Sequence, residues 1–275
     1  MNKLLKIFDR SKGEEAFTSD RPKEVKQILD EQIETSLKEF KRSNVGLMLS
    51  SFTAGLEVGF SVLLMGTVYT LFHDSMEASQ MKAMLALCYP IGFIFVIIGR
   101  SELFTEHTAL ALLPVLNRSV RISELLILWS IVYLGNLLGG YVFGALIAKI
   151  GPGIGFIDPK AFAHLAEELV HYEWDLILMS ATLAGWMMGL LGWLVTSSQE
   201  TVSRILVIIL VTTIIGMAGL HHCIVGSIEV FSGFITSDHI SWSDYLHFQL
   251  WATLGNLLGG TVFVAILKFS NVRFH

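Results

Sequence analysis

The sequence predicts an all-α polytopic membrane protein: six transmembrane helices arranged as two inverted three-helix repeats, with helices 2 and 5 broken. Three observations predict it. The composition is 53% hydrophobic and 16% charged, well below the roughly 25% charge of a soluble globular chain. Two long apolar segments, 83–116 and 205–235, are each interrupted by polar residues. Finally, Tyr133-Leu134-Gly135-Asn136-Leu137-Leu138-Gly139-Gly140 reappears as Thr253-Leu254-Gly255-Asn256-Leu257-Leu258-Gly259-Gly260 at an offset of 120.

Residues 1–44 read as a cytoplasmic N-terminal region with an amphipathic helix, and they hold ten of the nineteen Lys and Arg. Val25, Ile28, Leu29, Ile33, Leu37 and Phe40 recur there at helical spacing among charged residues. Such a helix lies along the membrane face or packs beneath the transmembrane body. No cleavable signal is expected, because the polar start lacks an apolar h-region.

The six-helix transmembrane domain is predicted over 45–268, with 269–275 a cytoplasmic tail. Its first span is 45–72, with Glu57 as the only charge. Next comes the interrupted segment 83–116, then 125–148 without a charge. A polar stretch, 149–175, opens with Gly151-Pro152-Gly153 and carries Phe162, Leu165, Leu169 and Tyr172 on one helical face. The fourth span is 176–198, the fifth is the interrupted segment 205–235, and the sixth is 246–268. Basic residues number fifteen in the tails and the loops after spans two and four, against Lys82, Lys149 and Lys160 on the other side. By the positive-inside rule both termini are cytoplasmic.

Length makes the interruptions physical. As straight helices the two segments would rise about 51 and 46 Å, at about 1.5 Å per residue, against a hydrocarbon core of about 30 Å. Non-helical backbone at that depth must be buried in protein or line a watered cavity. The breaks are Arg100-Ser101-Glu102-Leu103-Phe104-Thr105-Glu106-His107 and Gly219-Leu220-His221-His222-Cys223-Ile224-Val225-Gly226. The offset of 120 lays Glu102 on His222, and three spans per half insert the halves in opposite orientation. The two breaks are therefore expected to face each other near the midplane. Gly135, Gly139, Gly255 and Gly259 form small-xxx-small pairs and read as packing alone.

A helix that stops and restarts presents unsatisfied N–H groups, a ready anion site. Leu103, Phe104 and Thr105 sit where those donors would be, with the Thr105 hydroxyl suited to a carboxylate or nitrite oxygen. Leu103 and Phe104 serve as an apolar constriction or as plain core. His222 is the leading candidate: an imidazole at mid-depth donates a hydrogen bond or a proton to an anion, unless it only ties down loose backbone. Arg100 and Glu102 neutralise one another or pair with the opposite break, and His221, Glu106 and His107 belong to the same charged set. Glu229 falls on nearly the same face as His222, as a vestibule residue or one that reaches the interface.

Taken together, Ser101-Glu102-Leu103-Phe104-Thr105, the Gly-Asn motifs at 135–136 and 255–256, and a histidine in the second break resemble the formate/nitrite transporter family over residues 45–268. Arg100, the stretch 103–108 leading to Leu113-Pro114-Val115, and 222–229 are similar to its YfdC-type inner-membrane branch. The resemblance implies an aquaporin-like fold and homopentamers with one pore per protomer in a bacterial inner membrane. It implies passage of small monovalent anions such as formate, nitrite, hydrosulfide, acetate or lactate, often with a proton. By motif, His222 matches the central histidine, Thr105 the loop threonine, and Leu103 and Phe104 the apolar gate. Phe93 and Ile215 fall at the apolar constrictions. His221 and Gly226 stand where the formate channels commonly carry Glu and Asn, and Arg100 replaces a small residue, which changes the local field.

Two other classes compete. One is an aquaporin-like pore for a neutral or cationic solute; Arg100 speaks against cations if it is unpaired and says nothing if Glu102 neutralises it. A metal-handling or enzymatic protein would need ligand or nucleophile motifs, and neither His-Glu-x-x-His nor Gly-x-Ser-x-Gly occurs. No cofactor, no resident metal and no nucleic-acid partner are expected.

Overall fold

The structure, a computed structural model, describes residues 22–274, without the side chains of Arg273 and Phe274. The first twenty-one residues of the expected cytoplasmic region, and His275 of the C-terminal tail, lie outside the described residues.

Helix α1, Val25–Glu39, precedes the body. The first span is α2, Asn44–Phe72, capped by Ser43, whose hydroxyl accepts from the Gly46 amide at 3.1 Å. The second span is α3, Ala78–Cys88, continued by α4, Pro90–Gly99. The chain resumes as the short helices α5, Phe104–Leu110, and α6, Leu113–Leu116. Then come α7, Ile122–Ile154; α8, Pro159–Val170; and α9, Trp174–Ser197. Helix α10, Thr201–Ala218, is followed after a gap by α11, Val225–Thr236. The last span is α12, Trp242–Leu258, a π-helical segment, Gly259–Ile266, and α13, Leu267–Phe274. Among the described residues, six helices are long and apolar enough to cross a membrane.

The two halves pack by the same device. A Cβ at Gly139 would fall on the carbonyl oxygen of Phe52, and one at Gly259 on that of Thr182. Likewise Gly55 lies under the Asn136 carbonyl and Gly185 under that of Asn256. Backbone thus touches backbone between α2 and α7, and between α9 and α12, as small residues at membrane interfaces allow. The outward faces stay apolar: Leu134, Leu138, Val142 and Leu146 of α7 are exposed on this single chain.

Helix α1 packs beneath the body rather than lying free. Ile28, Leu29 and Ile33 are buried against Leu113, Trp193 and Ala265. Lys23 Nζ donates to the Thr196 carbonyl at 2.8 Å and pairs with Glu31. Val25, expected on the apolar face, is exposed.

Two local readings need correction. The third span does not end before Gly151-Pro152-Gly153 but runs through it to Ile154. Pro152 sits in the last turn, where it removes the N–H that would donate to the Ala148 carbonyl, and the helix stops three residues later at Gly155, in the left-handed region at φ 86°. The sixth span contains eight π-helical residues, which inserts one extra residue on its packed face. Accordingly Gly59 faces Phe143, whereas the matching Gly189 faces Val264, one residue beyond the 120 offset.

Candidate functional site

Both interruptions have the same anatomy. Helix α4 ends when Arg100 turns left-handed (φ 60°, ψ 41°), and α10 ends at Gly219 in nearly the same conformation (φ 64°, ψ 37°). In each, the amide of the next residue reaches back five positions: Ser101 to the Val96 carbonyl and Leu220 to that of Ile215, both at 3.0 Å. This is the Schellman closure, for which glycine is the usual residue. Arg100 adopts it with a side chain, at a cost of about 1 kcal/mol.

An asparagine from the following span then clamps each loosened backbone. Asn136 Oδ1 accepts from the Phe104 amide, and its Nδ2 donates to the Ser51 and Glu102 carbonyls, all at 2.8 Å. Asn256 repeats this: Oδ1 accepts from Cys223 at 2.8 Å, and Nδ2 donates to Ala181 at 2.7 Å and His221 at 2.9 Å. The true equivalences are thus Glu102 with His221 and Phe104 with Cys223. The alignment of Glu102 on His222 is one residue out, and it is Leu103 that corresponds to His222. The clamps also consume amides that were expected to face an anion.

Each clamp meets its neighbouring rod seven residues in, Ser51 on α2 and Ala181 on α9, a depth of about 10 Å at 1.5 Å per residue. The breaks are therefore displaced from one another along the spans. One side-chain contact joins them: Thr105 Oγ1 lies 2.9 Å from His222 Nε2. His222 Nδ1 accepts from the Ile224 and Val225 amides at 3.3 Å. With Nδ1 an acceptor, Nε2 carries the hydrogen and donates it to Thr105 Oγ1. The hydroxyl hydrogen of Thr105 has no acceptor among the described residues and remains available to a solute.

Apolar groups enclose this pair. Phe93 and Ile215 are fully buried, and the Phe93 ring meets His222 edge to face at 5.3 Å. Leu103 is buried just before α5, and Phe104 packs edge-on against Tyr133 at 4.9 Å. Beyond Phe93, in contact with it at 5.3 Å, is Tyr89. Tyr89 and Ile215 line a chamber of about 450 Å³ that α2, α3, α8 and the second break enclose.

The other expected site residues lie apart from the Thr105–His222 pair. Arg100 is exposed, and no hydrogen bond or ion pair holds it among the described residues. Glu102 does not pair with Arg100; it binds Arg42 at 2.7 Å and makes a short contact to His107 Nε2. His221 is pinned, Nδ1 to Ser180 Oγ at 2.9 Å and Nε2 to the Leu169 carbonyl at 3.1 Å. Among the described residues, no three of His, Cys, Asp and Glu form a group that could hold a metal.

Sequence reasoning missed Arg42 and the two asparagines as site-forming residues. Arg42 also bridges to Glu39 at 2.7 Å, tying the end of α1 to the first break. Burial, and the Glu102 charge beside it, raise the Glu39 carboxyl above its usual value, while the hydrogen bond from Arg42 to Glu39 raises the guanidinium further. The asparagines did leave a signal: an amide duplicated inside two otherwise apolar motifs.

Comparison with known proteins agrees with this geometry. Residues 26–270 match the family described as formate/nitrite transporter. The inner membrane protein YfdC of Escherichia coli K12 is 30% identical over 240 residues, covering 86% of this chain and 75% of that protein. A solved FNT family ion channel superposes with a TM-score of 0.80 at 22% identity, over 90% of this chain and 99% of that one. A pentameric formate channel with formate bound superposes with a TM-score of 0.71 at 20% identity, over 84% and 98%.

Proposed function

The chain belongs to the formate/nitrite transporter family, and from that premise we propose that it forms a pore for small monovalent weak-acid anions, accompanied by a proton. The observation that carries the reading is the Thr105–His222 contact. It is a polar station where two broken helices meet, with the Phe93 ring against His222 and with Leu103 and Ile215 buried in the same apolar core. An anion that has shed water at such apolar walls needs donors at once, because an unpaired charge in a low-dielectric interior is costly. The Thr105 hydroxyl hydrogen is one donor, and His222 Nε2–H becomes a second when the solute displaces Thr105.

Hydrogen bonding alone needs only the neutral ring. For the ring to lend its proton as well, Nδ1 must take one from water and release the Ile224 and Val225 amides. Proton coupling through His222 therefore requires the start of α11 to move. By analogy with the pentameric formate channel, five chains assemble with one pore each, and their exposed apolar faces meet lipid or a neighbour. The membrane is the bacterial inner membrane, with both termini cytoplasmic, as the distribution of Lys and Arg requires.

The test is a liposome flux panel of formate, nitrite, acetate, lactate, hydrosulfide and ammonium between acidic and neutral pH. His222→Asn keeps a hydrogen-bond donor and removes the titration. Its flux is expected to lose its pH dependence while the pentamer stays assembled. An unchanged profile refutes the role of the ring.

A further inference from the structure

We propose that Glu229 is a charge filter in the chamber outside Phe93, set to reject permanent anions and to pass solutes that arrive with a proton. The proposal rests on the weak-acid pore reading above. Glu229 is on α11, only 7% exposed, and what exposure it has is to the chamber that it lines. No hydrogen bond or ion pair holds its carboxyl among the described residues. Gly226, one turn earlier, also borders the chamber, and its missing side chain lets the Phe248 ring and Leu169 pack against the backbone, where a Cβ would meet them at 2.5 and 3.2 Å. An ionisable group kept apart from every partner, in a space a solute crosses, acts on the solute.

The surrounding charges do not cancel it. Facing the chamber are Tyr69 and His73 of α2, Lys82 of α3 and Tyr89 between α3 and α4. From α8 come His164 and Glu168, with Tyr172 just beyond it. Lys82 is exposed, with its ammonium over Gly219, and forms no ion pair with Glu229. Tyr69 stacks on both His73 and His164. On the opposite side of α11, Tyr245 is held by Ser227 at 2.8 Å and by Tyr141. The chamber that leads to Tyr89 and Ile215 thus carries an unpaired, buried carboxyl.

An anion in that chamber meets either a carboxylate, which repels it, or a carboxylic acid, which does not. A weak acid brings the proton that neutralises one of the two; chloride and nitrate do not. At about 8 Å and an effective dielectric constant of 20, one unit-charge repulsion is worth about thirty-fold in occupancy.

The experiment measures chloride, nitrate, formate, acetate and ammonium flux in proteoliposomes of the full chain at neutral pH, for wild type, Glu229→Gln and Glu229→Asp. Glu229→Gln is expected to raise the ratio of chloride or nitrate to formate flux by ten-fold or more, and Glu229→Asp to keep the wild-type ratio. Should Glu229→Gln fail to assemble, Glu229→Ala reads the same ratio. An unchanged ratio in the charge-free variant overturns the proposal. So does ammonium flux in wild type that is lost with the charge, because the carboxylate would then serve a cation. If wild type passes no weak acid at all, the pore reading itself fails, and that outcome is separate from any change in ratio.

Discussion

Replacing Asn136 or Asn256 by alanine tests the logic of the breaks. Each amide side chain makes three hydrogen bonds of 2.7–2.9 Å to backbone that no helix satisfies fully. In Asn136→Ala the Phe104 amide and the Glu102 carbonyl lose their partner; in Asn256→Ala the Cys223 amide and the His221 carbonyl do. A buried polar group left unsatisfied costs about 1–3 kcal/mol. Ser51 and Ala181 suffer less, because their carbonyls lie within helices. Two orphaned groups therefore predict a loss of about 2–6 kcal/mol per clamp. At about 2–4 °C per kcal/mol for a chain of this size, the midpoint of thermal unfolding falls by about 4–24 °C. The assay is thermal unfolding of detergent-purified protein, read by light scattering and size exclusion, with the exposed Asn117→Ala as control. Because the breaks touch through Thr105 and His222, the double variant is expected to be non-additive. Both single variants within 2 °C of wild type would refute the claim that these amides hold the breaks.

Other expected outcomes follow from single contacts. Arg100→Gly relieves a left-handed backbone and is expected to raise the unfolding midpoint by about 2–4 °C, from about 1 kcal/mol of strain; Arg100→Ala, which keeps a Cβ, is expected not to. Gly139→Ala and Gly259→Ala drive a Cβ onto the Phe52 and Thr182 carbonyls. Both are expected to abolish the yield of folded protein on size exclusion, whereas Gly153→Ala, with nothing within 4 Å of its Cβ, leaves it intact. Arg42→Met removes the bridge between Glu39 and Glu102 and is expected to speed hydrogen exchange in α1, with Lys38→Met as an exposed control.

Much of the fold was legible because membrane spans announce themselves by length and polarity. The two interruptions fall within the eight-residue stretches the sequence marks, and the Gly-Asn repeats identify the interfaces between α2 and α7 and between α9 and α12. The register was harder. Asn136 and Asn256 stand 120 apart, but Glu102 and His221 stand 119 apart. A one-residue difference in the intervening stretch leaves no trace in a motif on one side of it. The clamps were invisible as clamps, since their partners lie 32 to 85 residues away. Arg100 reads from sequence as a partner of Glu102 or of the opposite break, and only the structure shows that it is exposed while Glu102 binds Arg42 and His107. Gly151-Pro152-Gly153 reads as the start of a polar stretch, yet the helix carries through the proline to Ile154.

The measurement that bears most directly on the account is weak-acid flux through proteoliposomes of wild type, Thr105→Ser and Thr105→Val. The hydroxyl that spans the two breaks survives in the serine variant and is lost in the valine one, at similar volume. The account predicts formate or nitrite flux above protein-free vesicles for wild type and Thr105→Ser, and at least a ten-fold fall for Thr105→Val. Equal flux in all three, with the same amount of folded protein reconstituted in each, would contradict it.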